Sequence, residues 1–302
     1  MNQIYRPGAL ELFGLFAIAL IWGSAFPAIK LAVFDFGAFW TAAIRVTVGF
    51  LAMLPFVFFR LSDLKALRGN WYTILFVALL NMVIPFVLIS WSMKHVPAGI
   101  GSLLLGTTPF VAMILGHFLT RDERINGYKL ISVIFAVSGI AVLVGQDIAR
   151  QTGTVSILAQ GAIILAGACY VSAGFVMRRI DIPPVTFTAA ALGAGSIMLL
   201  GISFLVAGAP NLAPSKAGFY AVFWLGLLPT GLGYFLRYIL VRKVGVSTFA
   251  LAMNTVPIFG IILSTLILGE VIEFRMIIAL ALVLIGLMIA RYAVPGKVET
   301  VR

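Results

Sequence analysis

Apolar residues fill most of this sequence in blocks of about 20, separated by short polar stretches. A block of that length is what a helix needs to cross the ~30 Å hydrocarbon core of a bilayer. Ten such blocks can be read along the chain, at 10–33, 39–59, 72–93, 98–119, 127–145, 157–177, 185–207, 217–241, 248–268 and 274–292. The sequence therefore predicts an all-α membrane protein with ten transmembrane helices surrounded by the lipid bilayer.

Several functional classes are excluded by what the chain lacks. Only 10% of its residues are charged, against about 25% in an ordinary soluble domain. The short connections leave no room for a nucleotide-binding domain, and no phosphate-binding glycine-rich loop ending in Lys-Ser/Thr is present. One cysteine and two histidines are too few ligands for a metal site or an intramembrane metalloprotease. We therefore expect no catalytic residue, metal or cofactor, and no ATP-driven step.

The positions of the basic residues predict the orientation of the chain. The net charge is +11, which in a soluble protein would suggest nucleic-acid binding; here it reflects the enrichment of Lys and Arg in cytoplasmic loops. If the N-terminus is cytoplasmic, fifteen of the 21 basic residues fall in inner segments and five in outer segments. We expect both termini to be cytoplasmic and no nucleic-acid partner.

The two halves of the sequence resemble each other at an offset of 148 residues. Ser24 aligns with Ser172, Lys30 with Arg178 and Pro109 with Pro257; after a one-residue shift, Glu123 aligns with Glu270. The predicted repeats are residues 8–146 and 156–293, each with five spans. Because five is odd, the second repeat must enter the membrane from the opposite side. The fold predicted is two inverted-topology five-helix repeats, an arrangement common in transporters.

Several short motifs resemble those of the EamA family in the drug/metabolite transporter superfamily. The motifs are Trp22-Gly23-Ser24-Ala25-Phe26, Arg45, the helices of Pro109 and Pro257, and the endings Glu123…Gly139 and Gly269-Glu270…Gly286. The second half departs from the pattern, because Tyr170 stands where the first has Trp22 and nothing matches Pro27 or Arg45.

The resemblance implies a secondary transporter of small metabolites, such as amino acids, and we expect export. Together with the short loops, it also implies the cytoplasmic membrane of a bacterium as the location. An importer of metabolites or vitamins with the same fold is one alternative, and a membrane receptor or scaffold that transports nothing is another. The small-molecule substrate, the coupling ion and the choice between monomer and homodimer stay open.

Prolines predict where the pathway lies. A proline inside a helix frees the carbonyl four residues earlier, which in a membrane must face protein or a water-filled cavity. Five prolines stand near the middle of their spans: Pro27, Pro85, Pro109, Pro229 and Pro257. We expect helix breaks there and a central pathway lined by spans 1, 3, 4, 8 and 9, with span 6 added by the repeat.

Polar and amphipathic residues collect at the same depth. They are Trp22, Ser24, Asn81, Thr107, Thr108, Tyr170, Ser172, Tyr234, Asn254 and Thr255. Such side chains suit a pocket for small, partly apolar solutes, although Ser and Thr also bond their own helix and Asn can join helices. These ten residues are the candidate substrate contacts.

Arg45 is the one basic residue placed well inside a predicted span. Burying it costs about 2.5–3.5 kcal/mol at the helix centre, so some interaction must offset that cost. The side chain can extend to the outer interface, pair with Asp35, or contact an anionic group of the substrate; all three alternatives are open. No carboxylate is predicted near mid-span. The small multidrug exporters of the same superfamily use a membrane-buried Glu for cations, so the resemblance argues against lipophilic cations as substrates.

Overall fold

The computed structural model describes residues 7–58, 61–119, 124–149, 153–178 and 180–291. These residues form helices and connecting turns, and the described part of the chain contains no β-strand. In the first half the helices are α1 (Ala9–Gly23), α2 (Ala25–Phe58), α3 (Trp71–Ala78), α4 (Ile84–Ser92), α5 (Ala98–Leu105), α6 (Thr108–Leu119) and α7 (Gly127–Ala149). In the second half they are α8 (Thr154–Met177), α9 (Pro184–Ala207), α10 (Lys216–Leu225), α11 (Gly233–Val244), α12 (Val246–Met253), α13 (Val256–Leu268) and α14 (Phe274–Arg291).

Eight of the described segments are long and apolar enough to cross a membrane, and Phe274–Ala290 is a shorter apolar helix. The number differs from the ten predicted spans for two reasons. The first two predicted spans form one run of 50 residues, Ala9–Phe58, and the last span is short. That run is interrupted at Ser24 and again at Gly37, whose φ of 71° is a conformation that glycine adopts readily.

The helices are interrupted at matching places in the two halves. Wide π-helical turns occur at Leu79–Val83 and at Gly226–Leu232, and these positions are 147 to 149 residues apart. The break between α5 and α6 likewise matches the break between α12 and α13 at an offset of 148. Each of the five mid-span prolines lies inside a π-helical turn or within three residues of an interruption, as expected from the hydrogen bond that proline removes.

Helices α7 and α14 pack against each other, and α2 packs along α9. Glycines bring other helices close together, as small residues do in membranes. A Cβ atom on Gly23 of α1 would lie 2.5 Å from the Cβ of Phe259 and 3.0 Å from the backbone nitrogen of Gly260 in α13. The backbones of α1 and α13 therefore touch at this point, and no larger residue fits without movement.

The substitution Gly23→Ala is expected to destabilise the protein by about 1–3 kcal/mol, because the added methyl group meets backbone atoms that cannot rotate away. The measurement is the midpoint of thermal unfolding in detergent. Gly161→Ala is the matched control: this glycine lies in α8, is exposed, and has open space around its Cα. The control should be neutral or slightly stabilising, so equal losses in both variants would contradict the close contact.

Candidate functional site

A cavity of about 650 Å³ lies at the centre of the bundle, within the ~300–1,000 Å³ range of small-molecule sites. It is bordered by α1, α2, the segments around both π-helical turns, α5, α6, α8, α12 and α13. No described residue of α7 or α14 borders it. Seven of the polar residues selected from the sequence line this cavity: Trp22, Arg45, Asn81, Thr108, Tyr170, Tyr234 and Asn254.

The interrupted helices determine which groups reach the cavity. Both helix breaks, at Gly106–Thr107 and Asn254–Thr255, border it, as do Pro109, Pro229 and Pro257. The indole nitrogen of Trp22 donates to the carbonyl oxygen of Pro229 at 3.0 Å. This bond joins α1 of the first half to the π-helical turn of the second half at the wall of the cavity.

Arg45 is buried in the wall of this central cavity with 8% of its surface exposed. Its Nε donates to the hydroxyl oxygen of Thr230 at 2.8 Å, and its guanidinium carbon lies 4.0 Å from the ring centroid of Phe86. Asp35 accepts a hydrogen bond from Ser215 instead, and within the described residues no carboxylate pairs with Arg45. The structure therefore contains neither the pairing of Arg45 with Asp35 nor its extension to the outer interface.

Asn81 and Tyr234 meet across the cavity. The side-chain amide of Asn81 lies in the first π-helical turn and donates to the hydroxyl of Tyr234 at 3.4 Å. That hydroxyl also lies 3.9 Å from the sulfur of Met82. The long Asn81–Tyr234 bond connects the two halves and leaves the amide oxygen of Asn81 available to a solute.

Four of the selected residues and two prolines lie outside the lining of the central cavity. The hydroxyls of Thr107, Ser172 and Thr255 donate to carbonyls in their own helical turns, and Ser24 does so while accepting a bond from Trp224. The two prolines outside the lining are Pro27 and Pro85. These four hydroxyls therefore bond the backbone of their own helices, and none of the six residues lines the central cavity.

A second cavity, of about 730 Å³, continues from the first. The two share Trp22, Asn81, Met177, Tyr234, Arg237, Ala250 and Met253. The second cavity borders the α8–α9 connection at Ile180 and Ile182 and the exposed side chains of Arg237 and Arg242. The central cavity thus communicates with the end of the bundle where α8 terminates.

At the opposite end of the bundle, hydrogen bonds join residues of both halves above the central cavity. Ser92 bonds the carbonyl oxygen of Ala159, near the start of α8, so the connection that follows α4 lies about 27 Å along this helix from its other end at Met177. Here Glu270 accepts hydrogen bonds from Lys30 at 3.1 Å and from the backbone nitrogens of Ala98 and Gly99 at 2.8 and 3.1 Å.

The Nζ of Lys30 also donates to the carbonyl oxygen of Val96 at 2.9 Å. These five residues, Lys30, Val96, Ala98, Gly99 and Glu270, form the Lys30–Glu270 cluster. It ties α2, the start of α5 and the end of α13 together. Lys30 follows directly after Ile29, which lines the central cavity.

A buried charged network joins the outermost helices. Arg275 of α14 donates to the carboxylate of Asp147 in α7 at 2.6 Å and to the carbonyl oxygen of Leu143 at 3.1 Å. The side chains of Arg275 and Asp147 are 5% and 6% exposed. Gln160 of α8 donates to the same carboxylate. The predicted span 274–292 has Arg275 as its second residue, and the predicted span 127–145 ends two residues before Asp147.

Sequence reasoning also missed three residues at the cavity. Thr230 and Phe86 hold Arg45, and Arg237 lies in the wall shared by the two cavities. The sequence does contain one signal for Thr230, because it directly follows Pro229. A residue in a turn widened by proline is displaced from the regular helix, and its hydroxyl can then bond a neighbouring helix. Phe86 and Arg237 carry no comparable signal.

Comparison with known proteins agrees with this architecture. The family model of the EamA-like transporter family matches residues 9–145 and again 157–292. The chain is 25% identical over 290 residues to a Streptantibioticus cattleyicolor protein named as a probable terminal-alkyne amino-acid exporter, covering 95% of each chain. It is 27% identical over 297 residues to the Escherichia coli inner membrane transporter YedA, covering 95% of this chain and 94% of YedA.

The chain is also 22% identical over 280 residues to the Bacillus subtilis transporter YoaV, covering 91% of this chain and 94% of the relative. One solved crystal structure superposes with a TM-score of 0.69 at 19% identity, covering 98% of this chain and 100% of the other. At that identity the structural match supports the fold alone.

Proposed function

The chain belongs to the EamA-like transporter family, and we propose that it exports small metabolites, such as amino acids or related compounds, by alternating access around its central cavity. It is a membrane transporter and not an enzyme. The observation that carries the proposal is the central cavity itself, because residues of both halves line it and it communicates with one end of the bundle. Export is favoured by the relative named as an amino-acid exporter.

Alternating access requires two similar units that move about a shared site. The proposed units are residues 8–146 and 156–293, and the matching interruptions at an offset of 148 support them. The proposed ten spans follow if Ala9–Phe58 crosses the membrane twice and the shorter helix Phe274–Ala290 crosses once. At 50 residues, a straight helix would be about 75 Å long, far more than a ~30 Å core. The break at Gly37 lies where the chain would turn back.

The protein is a multi-pass membrane protein, and we place it in the cytoplasmic membrane of a bacterium with both termini inside. The relative YedA is named as an inner membrane transporter. The termini themselves, residues 1–6 and 292–302, lie outside the described part of the chain. Support for the orientation comes from Arg178, Arg237 and Arg242, which lie at the end where the second cavity opens, because cytoplasmic ends are enriched in basic residues.

With that orientation, the cavity is open to the cytoplasm and the Lys30–Glu270 cluster closes the outer end. An exporter in this state is ready to bind its substrate from inside. Release outside then requires the Lys30–Glu270 cluster to separate. Within the described residues no carboxylate borders the central cavity, and proton-coupled transporters often place one there. The proposed mode of transport is therefore facilitated diffusion or exchange.

The test of this function is a substrate panel. Cells overproducing the protein are loaded with labelled amino acids and related metabolites, and efflux is compared with cells lacking the protein. Solutes that respond are then followed in proteoliposomes of purified protein, with and without a pH gradient. Movement of a solute into cells but never outward would support the importer alternative, and no movement of any solute would contradict transport.

Replacing Tyr234 or Asn81 with alanine should weaken the apparent affinity for an exported solute about tenfold, the effect of losing ~1.4 kcal/mol of contact energy. The reason is that both side chains line the two cavities where they meet. Concentration dependence of efflux from proteoliposomes measures the change. The matched control is Tyr220→Ala, since this tyrosine is 70% exposed and borders neither cavity. Unchanged affinity in both cavity variants would remove these two contacts from the proposal.

A further inference from the structure

We propose that the central cavity selects its substrates by a carboxylate group, which binds the terminal nitrogens of Arg45, and that the substrate body is apolar or aromatic. This inference rests on the proposed transport function and specifies its substrate class. It extends the class from amino acids to organic acids that carry no amino group.

Most hydrogen-bond donors of the Arg45 side chain have no protein partner among the described residues. A guanidinium group has five N–H donors in a rigid planar fork. Within the described residues, Nε uses one of them on Thr230, and the two terminal nitrogens donate to no protein acceptor. An arginine that is 92% buried with four donors unused and no carboxylate partner is costly, since a buried charge normally requires pairing.

Two contacts hold the guanidinium group of Arg45 in one orientation. The face of its guanidinium stacks on Phe86, and its inner edge is bonded to Thr230. Thr230 is fully buried in the π-helical turn created around Pro229. Contacts to one face and one edge orient the remaining edge of the guanidinium into the cavity that Arg45 lines. A planar fork in a fixed orientation matches the geometry of a carboxylate, which can accept two parallel hydrogen bonds.

The wall of the central cavity carries positive charge. Among its described lining residues, the charged side chains are Arg45, Arg178 and Arg237, and none is Asp or Glu. An ammonium group of a substrate would therefore find only neutral acceptors, such as the amide oxygen of Asn81. A carboxylate, in contrast, would meet a buried cation, where the interaction is stronger than in water.

The remaining wall of the cavity indicates what the rest of the substrate is like. Beside Arg45 the wall is formed by apolar and aromatic side chains, which include Phe26, Ile29, Phe86 and Ile89. Tyr170 lies edge-on to Phe86 at 6.5 Å between ring centroids. Such a surface suits an aliphatic or aromatic body. The geometry therefore favours monocarboxylates with an apolar side group, with or without an amino group.

The test uses probes that share one body and differ in the charged group. Phenylalanine carries both groups, 3-phenylpropanoate only the carboxylate and phenethylamine only the amine; butyrate and butylamine form a smaller matched pair. Binding to the purified protein in nanodiscs is measured by the shift in thermal unfolding temperature and by fluorescence of the tryptophans, one of which, Trp22, lines the cavity. We expect the carboxylates to bind more tightly than the amines of the same body.

Three variants identify the residue responsible. Arg45→Gln should weaken carboxylate binding about 10- to 100-fold, and Arg45→Lys should weaken it less, because a charge remains without the fork. Lys94→Gln, which removes an exposed cation outside both cavities, should bind as the wild type does. Without ligand, Arg45→Gln should unfold at the same temperature as the wild type or a higher one, because an unpaired buried charge is removed. A structural role would lower it.

The proposal is overturned if amines bind at least as tightly as the matched carboxylates, if no carboxylate probe binds the folded wild type at millimolar concentration, or if Arg45→Gln leaves carboxylate binding unchanged. Failure of the proposed function is a different result. In that case carboxylates still bind and depend on Arg45, but reconstituted protein moves no solute across the membrane.

Discussion

Asp147→Asn is expected to lower the midpoint of thermal unfolding by about 5–15 °C, the equivalent of ~3–5 kcal/mol for breaking a buried ion pair. The reason is that Arg275 is buried with its charge directed at this carboxylate and at the carbonyl of Leu143. When the carboxylate becomes an amide, the guanidinium of α14 loses its anionic partner in α7. The measurement is unfolding of the purified protein in detergent, followed by intrinsic fluorescence.

Two comparison variants separate pairing from mere polarity at this position. The double variant Asp147→Leu with Arg275→Met should be more stable than Asp147→Asn, because both buried charges are removed. It should be less stable than the wild type, because the buried amide of Gln160 loses its acceptor. Glu273→Gln removes a carboxylate that also bonds Arg275 but is 28% exposed, and should cost only about 0–1 kcal/mol. If the double variant is less stable than Asp147→Asn, the ion pair itself stabilises the protein more than this reasoning allows.

Much of the architecture follows from the sequence because its causes are local. A proline removes a specific hydrogen bond, so Pro109, Pro229 and Pro257 indicated interruptions that the structure contains beside the central cavity. The repeat also carried information: the offset between Pro109 and Pro257 is the offset between the two helix breaks. The family resemblance inferred from short motifs is confirmed by matches over both halves.

The direction in which each polar side chain points could not be predicted. Thr107 and Thr108 are adjacent and chemically identical, yet Thr108 lines the cavity and Thr107 is buried outside its lining. Rotation of a helix about its axis decides this, and it depends on packing between helices that are distant in sequence. The partner of Arg45 could not be predicted for the same reason, since Thr230 lies 185 residues away in the sequence.

Charges near helix ends were misjudged for a related reason. The predicted spans begin and end where hydropathy changes. Arg275 therefore lay at the start of one span, and Asp147 and Glu270 lay two residues beyond the ends of two others. In the structure Arg275 and Asp147 form a buried pair, and Glu270 bonds Lys30 across 240 residues. Hydropathy measures the cost of burying a charge alone and contains no information about a distant partner that offsets that cost.

With the proposed orientation, Glu270→Gln is expected to open the outer end of the transporter. The carboxylate of Glu270 accepts three hydrogen bonds, one from Lys30 and two from the start of α5. An amide in its place loses the charge and presents a donor to groups that are themselves donors. Loss of charge-assisted bonds worth about 1.5–3 kcal/mol should raise the population of the outward-open state about 10- to 100-fold.

The opening is measured as the labelling rate of a cysteine introduced at Ile29, in a Cys169→Ala background, by a membrane-impermeant maleimide added to intact cells. Ile29 is 2% exposed and lines the central cavity below the Lys30–Glu270 cluster. Lys30→Met should increase labelling less than Glu270→Gln does, because the bonds from Ala98 and Gly99 to the carboxylate remain. Glu273→Gln removes a nearby carboxylate outside this cluster and should label as the unmodified background does. Equal labelling in all variants would show that the outer closure does not depend on Glu270, and alternating access would then need a different point of separation.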